Sequence, residues 1–253
     1  MEPWVSVVKL PNFMKFIPNG RGVSVVLLLL AMALFGQWLA DPSVTPLKVA
    51  RIEGDLRYLK RSDLETAVAK ATQGGFFTVN VQAIKDAAES LPWVAKVSVR
   101  RVWPDAIHIW VVEQSPVARW GDKSLINPEG EVFTPSKKLI PEGLPKFVAP
   151  ENSGKDVVGR YRLARRELQK LNLAIAQMRL SQRRAWSLVT KDGLVLQLGV
   201  DDFDSRIKRF VKVYPRLKSS SNQKMNEVDM RYANGMAVKW AKQERPEPKE
   251  SAS

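Results

Sequence analysis

The sequence contains no cysteine. That excludes disulfide stapling, thiolate nucleophiles and cysteine-ligated zinc, and it suits an oxidising compartment in which a stray thiol is a liability. Histidine is nearly absent as well, since His108 is the single one in 253 residues. Ser-His-Asp and Cys-His arrangements would both hang on that side chain. There is no G-x-x-x-x-G-K loop and no H-E-x-x-H pair. Gly20-Arg21-Gly22 lacks the third glycine and the preceding strand of a dinucleotide fingerprint. A Ser-Lys hydrolase or a paired-carboxylate site stays open from one sequence, although the crowded acids Asp201, Asp202 and Asp204 are explained by the start of a helix. No cofactor and no metal ligand set is expected. Acidic residues are outnumbered, with 26 Asp and Glu against 40 Lys and Arg for a formal net charge of +14. On electrostatic grounds alone that favours nucleic acid or anionic headgroups. The bases are scattered along the chain and no RNA- or DNA-reading motif appears, so a basic surface near a membrane is the simpler reading, with no nucleic-acid partner.

Long hydrophobic runs are also scarce, and the one present organises the rest. Val23 to Ala40 holds roughly 18 residues without a charge, close to the ~20 that cross a ~30 Å hydrocarbon core as helix. Gln37 and Trp38 lie near its end, where headgroups and water solvate them. Lys9, Lys15 and Arg21 precede the run and Asp41 follows it, which puts the N-terminus in the cytoplasm and the bulk of the chain across the membrane. Two rival readings are a signal peptide cut near Ala31-Met32-Ala33, which would leave an exposed apolar start, and a buried helix of a soluble protein, which would normally carry a polar face. Residues 1–22, with Pro3, Pro11 and Pro18, read as a loosely ordered tail.

After the run the pattern is α+β. Leu47 to Ile52 reads as a strand, and Ser62-Asp63-Leu64-Glu65 as a capping box opening a helix with Leu64, Val68 and Ala71 inward, ended by Gly74-Gly75. A second helix runs from Asn80, its cap, with Ile84, Ala87, Ala88 and Leu91 inward and Pro92 as the stop. The period then changes from 3.6 to 2. Val97 and Val99, then Ile107, Ile109 and Val111, alternate with polar residues around Trp103-Pro104-Asp105, giving an antiparallel hairpin with one buried face. Residues 46–115 thus follow the order β-α-α-β-β.

Residues 116–240 continue with strand over Val117 to Phe133, broken by the Pro128-Glu129-Gly130 turn. A loop follows in which Pro135, Pro141, Pro145 and Pro150 prevent regular pairing. Val157, Tyr161, Ala164, Leu168, Leu171, Ile175 and Met178 form an apolar stripe along ~22 residues, a helix laid on a sheet or a short coiled coil. Asp192-Gly193 signals a hairpin of type I′ between Trp186 to Thr190 and Leu194 to Leu198. A helix over Asp202 to Tyr214 is closed by Pro215. A last hairpin joins Glu227 to Tyr232 with Met236 to Trp240 around Asn234-Gly235. Residues 241–253 are polar, proline-bearing and expected to be disordered. The last strand would then have an open edge of the kind used for β-augmentation. Tyr232 and Trp240 suit such a site, or else fill the sheet's own core face.

Several pieces together resemble the bacterial FtsQ/DivIB family, its gamma-proteobacterial members most. They are Gly75-Phe76-Phe77, Leu91-Pro92-Trp93-Val94, Val97-Ser98-Val99-Arg100-Arg101 with Trp103-Pro104-Asp105, and Glu113-x-x-Pro116-Val117-Ala118-x-Trp120. Further on come Arg206-Ile207-x-Arg209-Phe210-x-x-x-Tyr214-Pro215 and Asp229 to Trp240. The resemblance implies a non-enzymatic inner-membrane scaffold of the division septum, with a POTRA domain and a β-domain in the periplasm. It implies FtsB, accompanied by FtsL, as a partner added to the last strand, with Tyr232, Asn234, Gly235 and Trp240 as the face and Arg184 as an ion-pair partner for an acid of FtsB. Recruitment through the POTRA hairpin at Val97, Val99 and Arg100 is implied too, and FtsW, FtsI, FtsN and FtsK are the further partners. Met230 stands where leucine is commoner and Asn234 where serine occurs in some members. A POTRA-type chaperone or docking component of outer-membrane assembly or secretion is the alternative reading.

Overall fold

The computed structural model describes residues 20–41, 43–47 and 49–241. Of the tails expected at 1–22 and 241–253, residues 1–19 and 242–253 lie outside the described ones, and Gly20 to Gly22 already belong to the first helix. Helix α1, Gly20–Ala40, has 21 residues, and its large apolar side chains from Val23 to Trp38 are exposed. Among the described residues no helix is long and apolar enough to cross a membrane, the placed side chains of α1 running only from Gly22 to Trp38.

Strand β1 (Val49–Glu53), helices α2 (Arg61–Ala69) and α3 (Val81–Glu89), and strands β2 (Val94–Val102) and β3 (Ala106–Glu113) follow in the expected order. The sheet runs β1-β3-β2, with β1 parallel to β3 and β2 antiparallel to it. Asn80 caps α3 as its side chain predicts, accepting from the Ala83 N–H at 3.0 Å. The capping box does not form. Lys60 takes the cap position of α2 without a side-chain bond, and Ser62 lies inside the helix, its carbonyl accepting from the Thr66 hydroxyl at 2.7 Å.

The second part is one nine-stranded sheet in the order β12-β11-β10-β9-β8-β7-β4-β5-β6. Its strands are β4 (Ala118–Trp120), β5 (Ser124–Ile126), β6 (Val132–Phe133), β7 (Lys146–Val148), β8 (Ile175–Leu180), β9 (Trp186–Thr190), β10 (Val195–Gly199), β11 (Met225–Asp229) and β12 (Ala237–Trp240). Helices α4 (Gly154–Gln169) and α5 (Phe203–Ser219) share its core through Val157, Leu168, Phe203, Ile207 and Phe210.

Four expectations fail here. The proline-bearing loop contains β7, parallel to both β4 and β8, with Phe147 fully buried. The apolar stripe is not one helix: α4 stops at Gln169, Asn172 turns the chain with φ 58°, and Ile175 and Met178 belong to β8. Pro215 does not end α5, which continues to Ser219 because buried Tyr214 and half-buried Leu217 keep the last turns on the core at the cost of one backbone bond. The turn after β9 is not type I′, since of its residues only Gly193 has positive φ. Its N–H donates to the Thr190 carbonyl at 3.0 Å and the Thr190 N–H to the Leu194 carbonyl at 2.9 Å, which is a three-residue loop with a bulge.

The two parts share a core. Leu125 and Phe133 pack with the residues of the three-stranded module, and the Trp93 ring stacks on Tyr58 at 4.4 Å and meets Phe133 edge-on at 5.4 Å. Beside this junction the Glu113 carboxylate accepts the backbone N–H groups of Arg57, Tyr58 and Leu59 at 2.7, 2.8 and 2.5 Å. The bases that read as scattered also gather in space: α4 carries five Lys and Arg and α5 six, against three acids on the two helices together.

Candidate protein-binding edge

Strand β12 is the last strand of the large sheet and, among the described residues, pairs only with β11, antiparallel, through Glu227↔Lys239, Val228↔Val238 and Asp229↔Ala237. The Ala241 N–H donates to the Lys224 carbonyl at 2.7 Å, so alternation turns the peptide groups of Lys239 and Ala237 inward and those of Val238 and Trp240 outward. Side chains alternate on the other axis. Val238 and Trp240 are half-buried against the core, whereas Ala237 and Lys239 are exposed. Outward backbone and a half-buried aromatic therefore coincide at Trp240.

The connection from β11 to β12 is not the two-residue turn that Asn234-Gly235 suggests. It runs from Met230 to Met236, and Gly235 does not have positive φ. Arg209 of α5 provides the reason. Its guanidinium donates to the carbonyls of Met230 at 3.1 Å and Tyr232 at 2.9 Å, and also to that of Ala233. One side chain thus satisfies carbonyls that a tight turn would have paired locally. Met230 is fully buried and its N–H donates to the Gln197 carbonyl at 2.8 Å, which fixes where the loop leaves the sheet. Arg206 of the same helix donates to the Leu198 carbonyl beneath it.

Asp229, at the end of β11, accepts from the Arg231 N–H at 3.0 Å and from its guanidinium at 2.6 to 3.0 Å. Those side-chain bonds hold its carboxyl below the usual carboxylate range. A depressed carboxyl contributes stability that is complete above its unfolded value, near 4, and is lost as pH falls through the folded value. The melting temperatures of the wild type and Asp229→Asn are expected to differ by a constant amount from pH 8 to 5 and to converge below about 4. Parallel curves throughout that acid range would contradict the pairing.

The remaining candidates divide. Tyr232 is 55% exposed at the loop, so only Trp240 leans on the core. Asn234 is exposed and Gly235 half-exposed on the same loop. Arg184 lies at the same end of the sheet, in the turn between β8 and β9 with φ 62°, but three strand spacings from β12, about 14 Å away. In the three-stranded module Val97 is buried, Val99 is half-buried, and Arg100 is exposed with its guanidinium 5.8 Å from the Trp110 ring centre. His108 is half-buried on the sheet's outer face, 5.2 Å from the Trp110 ring. Asp202 holds the cap position of α5 with positive φ and makes no side-chain cap bond, while Asp204 lies 3.8 Å from Arg160. Among the described residues no group of three His, Cys, Asp or Glu could hold a metal ion. Arg209, which shapes the loop ahead of β12, is the side chain that sequence reasoning passed over. Its signal was the spacing of three from Arg206, which puts both bases on one face of α5, toward the ends of β10 and β11.

Comparison with known proteins gives the geometry a family. The family described as POTRA domain, FtsQ-type, matches residues 45–114, and that described as Cell division protein FtsQ/DivIB, C-terminal, matches residues 118–231. Strand β12 lies beyond the second match, so its role rests on its own geometry. The chain is 36% identical to a cell division protein FtsQ of Coxiella burnetii over 80% of this chain and 83% of that one. It is 34% identical to the FtsQ of Aliivibrio fischeri over 80% and 79%, and 32% identical to that of Shewanella oneidensis over 90% and 88%. An α+β chain with a POTRA module, a second sheet domain and these relatives belongs to the FtsQ/DivIB family of bacterial cell-division proteins.

Proposed function

We propose that the chain is a non-enzymatic, single-pass inner-membrane scaffold of the septum that captures FtsB, accompanied by FtsL, by accepting a strand of FtsB on the outer edge of β12. The observation that carries this reading is the pair of outward peptide groups at Val238 and Trp240 on a terminal strand. An added strand satisfies such groups at little entropic cost, because the receiving edge is already ordered by its own sheet. Tyr232, Asn234, Gly235 and Trp240 line the start and end of that edge, and Arg184 is reached by a partner that continues across the rim of the sheet.

The anchor in this reading is α1. Its 21 residues extend about 31 Å, and Leu27, Leu28, Leu29 and Leu30 are exposed in succession, so apolar side chains point in every direction around the axis. Residues 1–22 are then cytoplasmic, and 46–115 and 116–240 are the periplasmic POTRA and β-domains. FtsW, FtsI, FtsN and FtsK belong to the same reading. Contact through β2, an edge strand of its own sheet, falls to its backbone and Arg100, since Val97 is buried.

In a titration of the full chain against FtsB, Tyr232→Ala and Trp240→Ala are each expected to cost about 2 kcal/mol, roughly 30-fold in Kd. Both variants should retain a cooperative melt. Two folded variants with wild-type affinity would refute capture at this edge.

A further inference from the structure

The strongest unexplained surface is the end of the three-stranded module where the chain arrives from α1. Because β1 runs parallel to β3, its first residue, Val49, pairs with Ala106, the first residue of β3. The arriving chain and the tip of the β2–β3 hairpin therefore share one end of the sheet. The segment 75–79 is held there as well. Pro46 bridges Gly75, the Phe76 N–H donates to the Thr45 carbonyl at 2.8 Å, and Arg101 donates to the Val79 carbonyl at 2.7 Å.

This end is aromatic and, among the described residues, exposed. Trp103, at the hairpin tip, is 79% exposed, more than any other large apolar residue described; its neighbour Val102 is exposed, and so is Phe77 on the segment 75–79. Phe76 is buried in the module, so of two adjacent rings one serves the fold and the other faces away from it. Soluble surfaces rarely leave an indole so bare, whereas the bilayer interface favours tryptophan. Two residues back from the tip, about 7 Å, Arg51, His108 and Arg100 stand in register across the three strands.

The tether limits what this end can meet. Five Cα steps separate Ala40 from Thr45, at most about 18 Å. The turn at Asp41 shortens that reach: its carbonyl accepts from the Val44 N–H at 3.1 Å and its carboxylate from the Ser43 N–H at 2.8 Å.

We propose that this end of the POTRA module rests on the headgroup layer of the bilayer that holds α1, with Trp103 and Phe77 seated at the interface and Arg51 and Arg100 reaching lipid phosphates. The proposal depends on α1 being the anchor. It makes the orientation of the module on the membrane a property of the chain itself, set by a short tether and two aromatic feet.

The test uses the full chain in vesicles of phosphatidylglycerol and phosphatidylcholine, with the phosphatidylcholine either plain or brominated to quench indole emission. Trp103→Ala is expected to remove a strongly quenched component, whereas Trp110→Ala, in mid-strand, removes an unquenched one. Phe77→Ser, which keeps Trp103 as reporter, should lessen the quenching. Trp103 emission that is equal in plain and brominated vesicles, or quenched no more than that of Trp110, would overturn the end-on seating. Flotation with vesicles after an alkaline carbonate wash separates the two readings. Loss from the vesicles defeats the anchor, and retention with unquenched Trp103 defeats the seating alone.

Discussion

Val238→Pro is expected to weaken capture of FtsB by about 3 kcal/mol, more than 100-fold in Kd, with little change in melting temperature. The Val238 N–H points away from β11, so proline removes no bond of the intramolecular ladder. It does remove a donor from the free edge and places a ring in the path of an incoming strand. Lys239→Pro is the informative partner. Its N–H faces β11, so that variant should lose stability as well as binding. Calorimetric titration together with thermal melts of the pair distinguishes a backbone-mediated edge from one read by side chains. Wild-type affinity in folded Val238→Pro would end the strand-addition mechanism, even if Tyr232 and Trp240 proved important.

The largest loss of stability is expected from Phe147→Ala. Phe147 is fully buried on β7, between β4 and β8, with its ring edge-on to Tyr161 at 4.9 Å. Truncating a large core aromatic costs about 3–5 kcal/mol, which for a chain of this size lowers Tm by on the order of 10 °C. Lys146→Ala next to it should change little, because its contact with Asp122 is an exposed ion pair. A Phe147→Ala melt within about 2 °C of wild type would mean that residues 135–150 are the surface loop their prolines suggest.

That residue also explains where sequence reasoning stopped. A three-residue strand with one buried side chain between two half-buried ones is too short to display an alternation, and four prolines nearby outweigh one phenylalanine. Ile175 and Met178 misled for a related reason: the helical spacing continued by coincidence across the end of α4, and only Asn172, tolerant of positive φ, marked the break. Asn80 and the β2–β3 hairpin were legible because their causes are local, a side chain reaching three residues along and a period of two. The edge strand itself was legible from its position and pattern. The shape of its loop was not, since Arg209 reaches it from more than twenty residues upstream and overrides the Asn-Gly turn.

The shared core of Trp93, Leu125 and Phe133 bears on how the molecule would carry force. Hydrogen-bonded strands run without interruption from β12 to β6, and β6 presents Phe133 to Trp93. A pull exerted on the rim by a bound partner would travel as shear through that ribbon and enter the POTRA module at a ring contact, with no slack linker in between. In tension the two halves would move as one stiff lever.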